Sequence, residues 1–119
     1  MRLKQPTERE KISKSGHTNE LDKLKKYSME TDLIKIIEEI DDKVIFKGYT
    51  KEEILCLVNE IVKSDLLSVK YETREEVLYF LCDALSYYDI SSSVNLTSII
   101  KIKDKLENDL KEYIEELID

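Results

Sequence analysis

Carboxylates are the only catalytic side-chain type that this 119-residue chain has in quantity, with 26 Asp and Glu residues. Paired carboxylates on two facing helices could hold Mg²⁺ for a hydrolytic reaction, because this ion prefers oxygen ligands. The strings Glu72-Thr-Arg-Glu75 and Glu116-Leu-Ile-Asp119 have suitable ExxE and ExxD spacings. They lie far apart, however, and such strings arise by chance in an acidic chain. We predict no metal site and no cofactor.

The other catalytic residue types are scarce. His17 is the single histidine, so any Ser–His or Cys–His pair would have to use it, as would a histidine-containing metal cluster. Gly16 and Gly48 are the two glycines, which is too few for a phosphate-binding or dinucleotide-binding loop. We predict that the protein is not an enzyme.

The charge of the chain is high and uneven. Charged residues make up 38% of the sequence and the net charge is −7. Residues 1–27 carry eight Lys and Arg against four Asp and Glu, or +4, whereas residues 28–119 carry 11 against 22, or −11. Because nucleic acids and anionic membranes are polyanions, neither is expected as a direct partner, and a basic protein is favoured. The chain has no apolar run of the ~18 residues that span a bilayer and no apolar leader, so a cytoplasmic protein is expected.

The elements that would position functional side chains are predicted to be helices. Two glycines and one proline cannot supply the turns of a β-sandwich or barrel. Apolar residues recur at steps of three and four, which predicts an all-α single domain over 19–119, preceded by a basic, mobile segment over 1–18. The predicted architecture is an antiparallel bundle of four main helices. The residues from Asn19 form either an additional N-terminal helix or the first part of one kinked helix. The main helices are expected at about 29–46, 50–63, 73–88 and 97–118.

Two of these helices begin with the same sequence pattern. Thr50 with Glu53 and Thr73 with Glu76 each have the spacing of a capping box, in which the threonine hydroxyl and the glutamate satisfy each other's backbone amides. The last helix, 97–118, has nearly coiled-coil spacing of its apolar residues. A homodimer through this helix therefore stays open.

Tyrosine and carboxylate alternate on the third main helix. Tyr79, Asp83 and Tyr87 lie four residues apart and would line one face, and Asp89 follows them. Aromatic anchors surrounded by carboxylates suit a surface that binds a basic protein. These four residues are the predicted partner-binding patch. For any one of the tyrosines, a half-buried position at the edge of the bundle is the competing interpretation.

One stretch resembles a known family. Tyr49-Thr50, Glu53-Ile54-Leu55, Leu57-Val58, Ile61 and Asp65, followed by Glu75-Glu76, resemble the first half of the immunity proteins of DNase-type colicins. The resemblance covers residues 49–83, and the family's characteristic short third helix has no clear counterpart. It implies a small acidic helical protein that binds and neutralises a nuclease domain, within the wider class of immunity proteins against bacteriocins and contact-dependent toxins.

Three functional classes follow. The leading hypothesis is an immunity or antitoxin-like protein that occludes a basic toxin, plausibly a nuclease. The alternative is a non-catalytic structural or regulatory helical subunit, such as a homodimer or a phage-encoded accessory protein. A carboxylate–metal hydrolase is the third, and it predicts thermal stabilisation by Mg²⁺ or Mn²⁺. A DNA-binding helix-turn-helix over 50–88 fails on charge, because the helix that would read DNA has Arg74 against three carboxylates.

Overall fold

A computed structural model describes residues 16–118 as an all-helical protein, with six α-helices and no strand in that range. The predicted mobile segment 1–18 falls mostly on residues 1–15, outside the described residues. The first helix is the predicted additional one, and a break at 27–29 separates it from the next. The helices are α1 (Asn19–Lys26), α2 (Glu30–Ile45), α3 (Lys51–Val62), α4 (Tyr71–Tyr87), α5 (Thr97–Lys101) and α6 (Asn108–Ile118).

The capping box predicted at the start of α3 is present. The Thr50 hydroxyl accepts from the Glu53 amide at 3.1 Å, and the Glu53 carboxylate accepts from the Thr50 amide at 2.8 Å. The two bonds satisfy amides that have no partner inside the helix. Local sequence alone therefore determines where α3 begins.

The second capping box, predicted from Thr73 and Glu76, is wrong. Helix α4 begins two residues earlier, at Tyr71, and Thr73 is buried within its first turn. A carboxylate from another helix replaces the local cap: Glu30, at the start of α2, accepts from the Lys70 amide at 2.8 Å and from the Thr73 hydroxyl. These bonds lower the pKa of Glu30, that from Thr73 most strongly.

Helices α2, α4 and α6 run in the same direction, side by side. Glu30 contacts the first turn of α4, and Asp41, eleven residues further along α2, reaches Asp83 near the end of α4. The first turns of α4 and α6 meet through Tyr71 and Asp109. The most extensive contacts join α2 with α4 and α4 with α6, which are parallel pairs, whereas the prediction was of antiparallel neighbours.

The predicted last helix over 97–118 is also wrong, because it is broken in the middle. After α5 the chain makes a short 3₁₀ turn over Lys103–Lys105, and Leu106 is extended and buried. Leu106 joins the buried core from this extended position, and α6 then restarts alongside α4. The continuous apolar seam on which the homodimer idea rested is therefore interrupted.

Candidate interaction surface

The middle helix of the parallel trio carries the predicted patch. Tyr79 and Tyr87 are 49% and 40% exposed on α4. Asp83 lies between them and, together with Asp41, raises the pKa of the Tyr79 hydroxyl. The structure therefore brings Tyr79, Asp83 and Tyr87 to one face, as the four-residue spacing predicts. Asp89 is exposed beyond the end of α4, and no hydrogen bond or ion pair within residues 16–118 joins it to the other three.

Three carboxylates that sequence reasoning missed complete this surface. Asp41 comes from α2 and lies against Asp83, and Glu76 acts electrostatically on both Asp41 and Tyr79. Glu38, one turn before Asp41 on α2, is the strongest electrostatic neighbour of Glu76. We call the set of six residues the acidic face. It consists of Glu38, Asp41, Glu76, Tyr79, Asp83 and Tyr87.

Three carboxylates of the acidic face have no basic residue at the nearest helical positions, whereas Lys35 lies three residues before Glu38. The positions three and four residues before and after Asp41, Glu76 and Asp83 hold no lysine or arginine. Several carboxylates elsewhere are paired with bases, and Glu20 with Lys43 at 3.0 Å is one case. Others are Glu39 with Lys23, Glu107 with Arg74 and Glu115 with Lys103. The sequence alone shows that Asp41, Glu76 and Asp83 lack a nearby lysine or arginine on their helices. It does not show that α2 packs against α4.

Asp41 and Asp83 form a carboxyl pair across the α2–α4 contact. Burial, a hydrogen bond to Asp83 and the negative charges of Asp83 and Glu76 together raise the pKa of Asp41 to about 7, and burial contributes most. Its Oδ1 atom is buried and lacks a hydrogen-bond partner in the described part of the chain. Near neutral pH, some molecules therefore hold one proton on the pair, and in the others both carboxyls are ionised and repel each other.

One tyrosine of this surface, Tyr79, is held by a neighbouring aromatic ring. Tyr79 packs edge-to-face on Tyr113 of α6, with centroids 6.5 Å apart and ring planes at 82°. The Tyr113 hydroxyl donates to Glu75 at 3.4 Å. Edge-to-face contact fixes a ring while leaving one side open to solvent. Tyr79 is therefore positioned in advance for contact with a partner.

We expect Asp41→Asn to stabilise the protein at alkaline pH and to have little effect in acid. The folded pKa of about 7 lies above the ordinary aspartate value of 3.8, so the native state holds more protons than the unfolded state between these values. Stability must then fall as pH rises from about 4 to about 7. Since the pair is partly exposed and screened, the expected gain at pH 8 is about 1–2 kcal/mol. Urea unfolding at pH 4 and pH 8 measures it.

Asp42→Asn is the matched control for this change, because Asp42 is the exposed neighbour of Asp41 on the same helix. It removes the same charge without removing the carboxyl pair. The pH-dependent gain should be much larger for Asp41→Asn, because the charge of Asp42 is only a minor cause of the raised pKa of Asp41. If Asp41→Asn were instead less stable than the wild type at pH 8, the Asp41 carboxylate would be favourably solvated, and the repelling pair would be disproved.

Other site types were sought in the described residues. Within 16–118, no group of three or more His, Cys, Asp and Glu side chains is arranged to hold a metal ion. Every helix in this range is too short or too polar to cross a bilayer.

The chain matches no known protein family, no curated protein and no solved structure. The resemblance of residues 49–83 to the colicin immunity proteins therefore stays a prediction.

Proposed function

We propose that this protein is a cytoplasmic immunity or antitoxin-like protein, which binds a basic toxin domain through the acidic face and blocks it sterically and electrostatically. A nuclease domain is the favoured target, since enzymes that bind nucleic acid present basic surfaces to their substrate. No bond is made or broken by the immunity protein itself. The proposal extends the predicted patch of α4 to include α2.

The observation that carries the proposal is the acidic face with its exposed tyrosines. Asp41, Glu76 and Asp83 lie together without a neighbouring lysine or arginine on their helices, although the chain pairs carboxylates with bases elsewhere. Carboxylates that repel each other lower stability. A surface that keeps such groups beside exposed aromatic rings is suited to a cationic partner, which would neutralise them on binding.

Two physical effects would act in binding. The net negative charge of the domain would steer a basic partner and raise the association rate, and this effect weakens as salt screens it. Tyr79 and Tyr87 would bury their rings at the centre of the contact and slow dissociation. Inhibition then follows because the bound protein covers the basic surface that the toxin needs for its nucleic acid.

The test is affinity capture from the source cells with the full chain as bait, at low and at high salt. The expected result is one basic protein, bound stoichiometrically and released by salt. The variant bait Glu76→Gln/Asp83→Asn should capture much less of it. The control bait Asp104→Asn/Glu112→Gln, which neutralises two exposed carboxylates elsewhere, should capture it normally.

Two results would count against the proposal. Equal capture by both variant baits would remove the acidic face from the binding site. Recovery of only the chain itself, or of an acidic assembly, would favour the alternative of a structural or regulatory helical subunit.

A further inference from the structure

A cleft of about 540 Å³ lies between the C-terminal end of α3 and the segment over 93–101, which includes α5. This volume is within the range of small-molecule sites. The walls of the cleft come from α3, α5 and the loop before α5, whereas the acidic face is formed by α2 and α4. Binding at the cleft can therefore be tested independently of the proposed function.

Both walls of the cleft are anchored to the core. Val62 is buried at the end of α3, and Ile90 and Ile99 are buried before and after the loop. The Ser98 hydroxyl donates to the Val62 carbonyl oxygen at 3.4 Å and so joins one wall to the other. The walls are therefore held in place by contacts within the protein.

The lining of the cleft carries positive charge and no carboxylate. Lys63 and Lys101 are its two charged side chains. The wall from the loop and α5 belongs to the stretch 90–103, which holds no Asp or Glu and is the longest such stretch in this acidic sequence. By contrast, the cleft of about 450 Å³ between α1 and α2 is lined by three carboxylates beside its three lysines. The cleft between α3 and α5 therefore favours an anionic ligand.

The two lysines have little competition from within the domain. Lys63 has only a 3.4 Å contact with Glu60 and is mostly exposed, and Lys101 has no ion pair within residues 16–118. Carbonyl oxygens at the end of a helix repel anions. Those of Glu60, Ile61 and Val62 each already accept a hydrogen bond, however. Both ammonium groups can therefore pair with an anion in the cleft, as lysines do with phosphate.

The rest of the polar lining consists of hydroxyl and amide groups. Asn95 Oδ1 accepts from the Thr97 amide at 3.0 Å, which leaves the side-chain NH₂ group of Asn95 for a ligand. The side chains of Asn59, Ser93 and Thr97 make no hydrogen bond to another residue of the described chain, 16–118. Such groups can donate to phosphate oxygens and can exchange hydrogen bonds with the hydroxyls of a sugar.

We propose that this cleft binds a small phosphorylated molecule that carries hydroxyl groups, such as a sugar phosphate. Lys63 and Lys101 pair with the phosphate. The side chains of Asn59, Asn95 and Thr97 form hydrogen bonds with the hydroxyl groups. The lining residues of the cleft within 16–118 include no aromatic ring on which a nucleobase could stack, so a sugar phosphate fits better than a nucleotide.

The test is an NMR titration of the ¹⁵N-labelled full-length chain with ribose 5-phosphate and with glucose 6-phosphate, at a pH above 7, where the phosphate is mostly a dianion. At least one of them should shift the amide signals of Asn59, Ser93 and Lys101, with a Kd of about 1 mM or lower. Inorganic phosphate should bind several-fold more weakly, and ribose should not bind. Absence of these shifts with both sugar phosphates, or equal affinity for inorganic phosphate, would overturn the proposal.

Charge-neutral variants test whether the lysines of the cleft hold the phosphate. Lys63→Gln/Lys101→Gln should raise the Kd at least about tenfold, because two charge-assisted hydrogen bonds are lost. Lys63→Arg/Lys101→Arg keeps both charges and should retain most of the affinity. Lys25→Gln/Lys51→Gln makes the same change in net charge at exposed positions outside the cleft and should bind normally. Equal weakening in the two glutamine variants would show that overall charge attracts the ligand, and it would overturn the assignment to this cleft.

Discussion

Replacing both Tyr79 and Tyr87 with alanine is expected to weaken binding of the captured basic partner by more than about 2 kcal/mol, or roughly 30-fold in Kd. Half of the Tyr79 side chain and 40% of the Tyr87 side chain are exposed before binding, so burial of these rings in the complex would remove a large apolar area from water. The loss should appear mainly as faster dissociation, measured by surface plasmon resonance. The association rate, which depends on charge, should change little.

The fold should tolerate this double substitution. Neither side chain belongs to the buried core, and Tyr79 contacts Tyr113 only at the ring edge. Tyr27→Ala is the control, because Tyr27 is similarly exposed, at 38%, but follows α1 on another part of the surface. Tyr79→Phe/Tyr87→Phe should retain most of the affinity, since the rings remain. An unchanged Kd for the double alanine variant would show that the partner binds elsewhere, even if the protein proves to be an immunity protein.

Local sequence predicted those parts of the fold that depend on neighbouring residues. The start of α3 follows from Thr50 and Glu53, which are three residues apart and satisfy each other. The same pattern at Thr73 failed, because Glu30, 43 residues away, supplies the acceptor at the start of α4. A capping pattern predicts that a helix begins nearby. It does not predict which carboxylate will cap that helix once others pack against it.

The broken last helix shows the same limit for apolar periodicity. Ile99, Leu106, Leu110 and Ile114 are all buried, as the spacing predicts, yet the chain between α5 and α6 is not one helix. Periodicity records which residues are buried, not whether the backbone stays helical between them. A break costs a few backbone hydrogen bonds, which contacts such as Arg74 with Glu107 can offset.

The candidate surface was predictable in part for a related reason. Tyr79, Asp83 and Tyr87 share one helix, so their common face follows from helical spacing alone. Asp41 is 42 residues away from Asp83 in sequence and joins them only because α2 and α4 are parallel and in register. Its elevated pKa depends on that contact, so no local pattern around Asp41 could have revealed it.

Arg74→Ala should be among the most destabilising single substitutions outside the apolar core, lowering the free energy of unfolding by about 2–3 kcal/mol. Arg74 Nε donates to the Leu66 carbonyl oxygen at 2.7 Å, and its guanidinium pairs with Glu107 at 2.8 Å. The side chain is only 18% exposed. Removing it leaves the carbonyl of the buried Leu66 without this donor and separates the α3–α4 loop from the start of α6. Chemical denaturation measures the change, with the exposed Lys101→Ala as control.

Arg74→Lys separates the contributions of charge and geometry. Lysine keeps the charge but lacks the planar donors that reach a carbonyl and a carboxylate together, so it should recover less than half of the loss. Glu107→Gln removes only the ion pair, which is partly exposed and should cost about 0.5–1 kcal/mol. If Arg74→Lys were as stable as the wild type, the bond to Leu66 would be dispensable. Arg74 is the one arginine of α4, and its bonds to Leu66 and Glu107 hold it within the protein, so it is not available to contact DNA. The exposed side chains of α4 are then mainly tyrosine and carboxylate.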